Sequence, residues 1–144
     1  MSTNKVASVS LKSLLVPSKL VDAEFPGFPG FVVQLSFLSR ETLVTIRKKA
    51  TKTTFKNRQA VEELNDELFL QLYVDTCIKG WKGLKLSILE QLAPVDLTGQ
   101  DGDAELEFSQ ENALFLMKSS NDFDSWVTEQ VSDLGNFPSV STSK

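Results

Sequence analysis

The chain predicts an α+β fold, mainly helical, with about four helices and a small N-terminal antiparallel strand pair. Three observations point there. Residues 61–84 begin VEELNDELFLQLYVDTCIK, where Val61, Leu64, Leu68, Leu72 and then Thr76 or Cys77 recur at spacings of three and four, the apolar face of a long helix. Residues 31–38 alternate Val33, Leu35 and Phe37 against Gln34 and Ser36, the two-residue period of a strand. Residues 109–134 repeat the helical spacing twice, each time behind a residue able to cap a helix.

Taken in order, residues 1–30 are rich in Ser and Lys with scattered apolar side chains (Val6, Val9, Leu11, Leu14, Leu15, Leu20). A strand within 6–15 is the expected partner of the strand at 31–38. Between them lies Phe25-Pro26-Gly27-Phe28-Pro29-Gly30, whose prolines fix φ and whose glycines permit unusual φ, so it reads as a turn with its phenylalanines docked on the core. Ser39 is placed to cap a helix with Leu43, Ile46 and Ala50 on one side and Arg47, Lys48 and Lys49 near its negative end. Thr51, Thr53 and Thr54 lower helix propensity and predict fraying or a loop. In the long helix that follows, Phe69 and Tyr73 widen the stripe, Gly80 is expected in the left-handed position that ends a helix, and Trp81 turns back onto it. Residues 84–92 fit a strand at their start or a short helix at their end, and Pro94 closes either. Residues 96–103 (DLTGQDGD) form a polar loop. Ser109 then caps a helix through Met117, and Asn121 or Asp122 caps a last one carrying Phe123, Trp126, Val127, Val131 and Leu134, closed by Gly135 and Pro138. Residues 1–137 read as one domain, and 138–144 as a disordered tail.

Composition narrows the chemistry. With 41% hydrophobic and 24% charged residues the chain is an ordinary globular sequence, and no apolar stretch approaches the roughly 20 residues that span a bilayer. The N-terminus lacks a signal-peptide core and is expected to be mature protein made in a cytoplasm, which the single cysteine, Cys77, fits. Histidine is absent. That excludes a zinc site of ordinary ligand set, a Cys-His dyad and a Ser-His-Asp triad, so the expectation is a protein that is not an enzyme and holds no cofactor. Charge is uneven: residues 1–85 hold 13 Lys/Arg against 8 Asp/Glu (+5), and residues 86–144 hold 2 against 11 (−9). Two faces of opposite potential suit self-association or orientation on a partner.

Two stretches invite sharper readings. In DLTGQDGDAELE, Asp101, Asp103 and Glu105 alternate around Gly102, but counting from Asp101 puts Leu106 at position six and Asn112 at position twelve, so the EF-hand pattern fails and a solvated acidic loop is expected. Arg47, Lys48, Lys49, Lys52, Lys56 and Arg58 form a basic run at 47–58 able to track a phosphate backbone. The negative total charge and the lack of any nucleic-acid motif argue instead for a basic face that meets acidic protein or water.

The order of features carries a resemblance. LSFLSRETL, a basic segment, an amphipathic helix ending IKGWKGL, an acidic loop, LEFSQENALFLM and a final aromatic helix together resemble the tail assembly chaperones of long-tailed bacteriophages, through Trp81, Gly83 and Leu84 and then Phe108, Ser109, Glu111, Asn112, Ala113 and Leu114. The likeness spans residues 31–137 and departs from the family in a longer 84–106 segment and in the turn at 25–30. It implies a non-enzymatic factor of the host cytoplasm, absent from the mature virion, that binds the tape measure protein and recruits tail tube subunits. Under that resemblance Trp81, Phe115, Met117, Phe123 and Trp126 are the partner-binding candidates, because aromatic and Met side chains suit adaptable helix binding. The bland alternative is that they only knit the C-terminal helices to the core. The rival classes are a structural virion protein of the tail, such as a tube or completion subunit, and a nucleic-acid-binding regulator using residues 47–58.

Overall fold

The computed structural model describes residues 6–16 and 19–137. In chain order these form α1 (Leu11–Leu14), β1 (Leu20–Glu24), β2 (Val32–Ser36), α2 (Arg40–Ala50), β3 (Thr51–Lys56), β4 (Gln59–Leu64), α3 (Asp66–Cys77), β5 (Ile78–Lys82), α4 (Leu86–Leu92), α5 (Gln110–Ser119) and α6 (Asn121–Ser132), followed by a 3-10 turn at Leu134–Asn136. The chain is mixed α and β, but the expectation of about four helices and one strand pair is overturned. Among the described residues there are six α-helices and five strands in two sheets.

The first sheet is antiparallel in the order β1-β2-β5. The partner of β2 is β1, not a strand within residues 6–15. The reason is the turn: Phe28 N–H donates to the Phe25 carbonyl (3.2 Å), Phe31 N–H to that of Phe28 (3.1 Å) and Phe25 N–H to that of Phe31 (2.9 Å), so the Pro-Gly turn joins its two immediate flanks. Register follows from turn geometry, with Ala23 opposite Val33 and Glu24 opposite Val32. Leu11–Leu14 is instead one exposed helical turn capped by Ser10.

The largest departures fall in the stretch read as one long helix. Its first part is the strand β4, paired with β3 in a second, two-stranded sheet. Asn57 and Arg58 both have positive φ (53° and 66°), the backbone of a tight two-residue hairpin turn whose twist matches the strands it joins. The threonines expected to fray are therefore strand residues, as β-branched side chains favour. Helix α3 starts only where the Asn65 side chain accepts from Leu68 N–H (3.0 Å). The helix then gives way directly to β5, because the free edge of β2 takes residues 78–82 as a third strand. Gly80 pairs with Gln34 in that strand and is no helix terminator. The left-handed glycine is Gly83 (φ 76°), where an added Cβ would overlap the Gly30 carbonyl.

Elsewhere local chemistry acts as expected. The hydroxyls of Ser39 and Ser109 accept from the N–H groups of Thr42 (3.2 Å) and Asn112 (3.0 Å) to start α2 and α5. Residues 86–92 are helical, and residues 96–103 lack regular structure. The cap of α6 is Ser120, one residue before the expected pair: its buried hydroxyl accepts from Phe123 N–H (3.1 Å). Gly135 lies in the closing 3-10 turn, whereas Pro138 and the expected tail at 138–144 lie outside the described residues.

The core sits between the inner face of the three-stranded sheet and helices α3, α5 and α6. Val33, Leu35, Val74, Cys77, Val127 and Val131 are fully enclosed. One end is aromatic: Phe31 stacks on Phe123 (6.3 Å between ring centroids, 15° between planes), Phe25 meets Trp126 edge-on (5.0 Å), and Trp81 meets Phe108 edge-on (5.1 Å).

Candidate functional site

The five partner-binding candidates fall into two environments. Phe123, Met117 and Trp126 are buried, and Trp81 is half-buried with its indole N–H donating to the Leu106 carbonyl (3.0 Å). Phe123, Trp126 and Trp81 help to close the aromatic end of the core and Met117 is buried in it on α5, so in this conformation the four present little surface. Phe115 is different. It is 53% exposed on the outer side of α5, with the Lys118 ammonium 5.3 Å from its ring centroid.

The larger apolar surface lies at the other end of the chain. Leu11, Leu14, Leu15 and Val16 are all exposed, although spacings of one, three and four put the three leucines on one side of a single helical turn. Leu14, Leu15 and Val16 wall a groove of about 640 Å³ together with Phe37, the start of α2 and Leu134. Leu134 was expected in the core of the last helix, but α6 ends at Ser132 and leaves it 51% exposed on the groove. Lys19, Arg40 and Glu41 supply charge at the same site. An open groove with apolar walls and a few charges suits the apolar stripe of a helix. The sequence signal was the 11/14/15 spacing, which a Ser/Lys-rich context disguised as scatter.

A second uncovered region is the β3–β4 hairpin. Lys52 lies opposite Glu63 and Thr53 opposite Glu62, and Lys56 reaches Glu63 at 3.9 Å. Phe55, opposite Ala60 near the turn, is 76% exposed. The basic run at 47–58 thus divides between the last turn of α2 and this ribbon.

Among the described residues no group of three or more His, Cys, Asp or Glu side chains stands where a metal ion could be held. In the acidic loop Asp96 accepts from the Thr98 hydroxyl (2.6 Å) and N–H (3.0 Å), which lower its pKa, and Asp101 accepts from Asp103 N–H (2.9 Å), so these carboxylates shape turns. Burial pushes the Cys77 thiol up to about 12 and, with help from nearby Cys77, the Tyr73 hydroxyl also to about 12, so neither is a nucleophile near neutral pH.

The family model of the YdaY prophage protein matches residues 37–142, well over half of the chain. The chain belongs to the YdaY prophage protein family. It is therefore phage-derived. No curated protein and no solved structure matches it. The family match begins at Phe37 and so takes in α2, the hairpin, β5 and all later helices, together with Phe37, Ser39, Arg40, Glu41, Thr42 and Leu134 of the groove. The groove's other wall, Leu14 to Val16, precedes the match.

Proposed function

We propose that this member of the YdaY family is a non-enzymatic assembly chaperone of a phage tail, which binds the tape measure protein and recruits tail tube subunits in the host cytoplasm. The observation that carries the reading is the groove of about 640 Å³ whose Leu14, Leu15, Val16 and Leu134 walls stand open to solvent. Phage origin and the order of motifs from LSFLSRETL to LEFSQENALFLM support it. A tape measure chain exposes apolar helical stripes until the tube encloses it. Many modest groove-to-stripe contacts along one long polypeptide cover those stripes, because linked sites raise each other's effective concentration. The nucleic-acid alternative is weakened by the hairpin itself, where Glu62 and Glu63 lie across from the strand that carries Lys52 and Lys56.

The test is co-expression with the tape measure gene of the same prophage. The intact chain is expected to keep that product soluble and to co-purify with it, and the L14D/L15D variant to lose both effects while staying folded. Unchanged solubility of the tape measure product overturns the reading. Stoichiometric presence of the chain in purified tails overturns it as well and favours a structural virion subunit.

A further inference from the structure

A two-stranded ribbon is marginal in water unless something covers it, and β3–β4 is a separate sheet whose sequence neighbours α2 and α3 merely anchor its base, through Asn65 N–H donating to the Ala50 carbonyl (2.8 Å). Its tip exposes Phe55, the most exposed aromatic ring among the described residues. Its surroundings are cationic: residues 47–64 hold six Lys/Arg against two Glu, a balance of +4.

The opposite half of the molecule offers the complement. Leu89, Ala93, Pro94, Val95, Phe115 and Leu116 line a small apolar pocket of about 130 Å³ between α4 and α5. Val95 and Phe115 form exposed lips. Asp96, Glu107 and Glu111, each adjacent in sequence to a lining residue, are exposed beside it, and Lys118, over the Phe115 ring, is the one cation among residues 86–137 against eleven carboxylates. No hairpin residue lines this pocket, so within one chain the aromatic tip and the pocket are separate surfaces.

We infer that the Phe55 tip of the basic β3–β4 hairpin docks into the α4–α5 pocket on the acidic half of a second copy of this chain. Phe55 meets the lips at Val95 and Phe115, while Lys52, Lys56 and Arg58 approach Asp96, Glu107 and Glu111. Knob and hole are different surfaces of one molecule, so the contact is head-to-tail: copies close into a ring where the rotation permits and otherwise continue as an open chain. This association does not rest on the chaperone reading and stands whatever the groove binds.

The test is sedimentation velocity of the full chain over a concentration series, at low salt and at ~1 M salt, where the Debye length falls to ~3 Å. Association is expected to grow with concentration and to weaken in high salt. F55S, at a site 76% exposed, is expected to weaken it by about tenfold or more, as loss of an aromatic anchor does. V95R, which puts a cation on the exposed lip, is expected to do the same. Mixing decides the geometry. F55S keeps the hole and V95R keeps the knob, so an equimolar mixture is expected to form a one-to-one dimer although each variant alone stays monomeric. A wild-type chain monomeric at every concentration, association unaffected by F55S, or a mixture that stays monomeric each overturns the inference. Circular dichroism of both variants guards against misfolding, and E107K/E111K, which reverses charge beside the hole and leaves every apolar contact in place, is the substitute if V95R fails to fold.

Discussion

The two sheets of this protein are both antiparallel, yet one is covered and the other is not. In the three-stranded sheet, Val33 and Leu35 are fully enclosed beneath α3 and α6, and the aromatic rings of Phe25, Phe31 and Phe123 close one end. In the β3–β4 ribbon the apolar side chains nearest the turn look outward, Phe55 most of all. The difference lies in what packs against them. The first sheet recruits helices on its inner face and gains the free energy of burying aromatic surface, whereas the ribbon leaves Phe55 exposed. Substitutions in the first sheet should therefore act on stability, and substitutions in the ribbon or the groove on association.

That contrast orders the expected effects. The largest comes from F123A, which removes a fully buried ring from the aromatic cluster and is expected to lower the unfolding free energy by about 3–5 kcal/mol in denaturant titration. G83A follows at about 3 kcal/mol, because a Cβ there meets the Gly30 carbonyl at a positive-φ position, and both chain segments at that end of the sheet must shift. S120A removes the buried cap of α6 and is expected to cost about 1–2 kcal/mol, most of it from an unpaired Phe123 N–H. F55S is expected to change stability by no more than about 0.5 kcal/mol. A large loss of stability in F55S would erase the distinction between the two sheets.

Alkaline titration sharpens the same contrast from inside the core. Burial raises the folded-state pKa of Cys77 and Tyr73 to about 12, from ordinary values of 9.0 and 10.0. The neutral forms are favoured by folding, so this stability is fully present below pH 9 and is lost progressively between pH 9 and pH 12, as the unfolded chain releases protons that the folded chain retains. Thermal unfolding midpoints measured from pH 7 to pH 11 should fall over that window, and C77A should shift the onset upward toward the tyrosine range. Alkylation of Cys77 near neutral pH should proceed only through unfolding.

Local rules recovered single elements, not the number of helices or sheets. Ser39 and Ser109 cap where hydroxyl chemistry places them, and the two-residue alternation of residues 31–38 contains the strand Val32–Ser36. What failed were the places where two explanations share one pattern. Val61, Leu64 and Leu68 keep helical spacing across a strand, a cap and a helix, and the decisive signal was the Asn57-Arg58 turn, which lacks the glycine that usually announces such a hairpin. Residues 78–82 leave the helix because an open edge on β2 awaits them, and that edge is a tertiary fact absent from the local sequence. The same ambiguity governed the candidate site. Aromatic residues at helical spacing serve a core and a docking surface equally well in one dimension, and folding assigned Phe123 and Trp126 to the core while leaving Phe115, Phe55 and the Leu11–Leu14 turn outside.

The central claim is that the aromatic core is self-sufficient and that the groove beside Leu14 and Leu134 exists for a partner. Hydrogen–deuterium exchange of the full chain, alone and with the co-expressed tape measure product, tests it most directly. Added protection confined to residues 11–16, 37–44 and 132–137, with β1, β2 and β5 unchanged, is the expected result; no complex, or protection that bypasses the groove, would contradict the account.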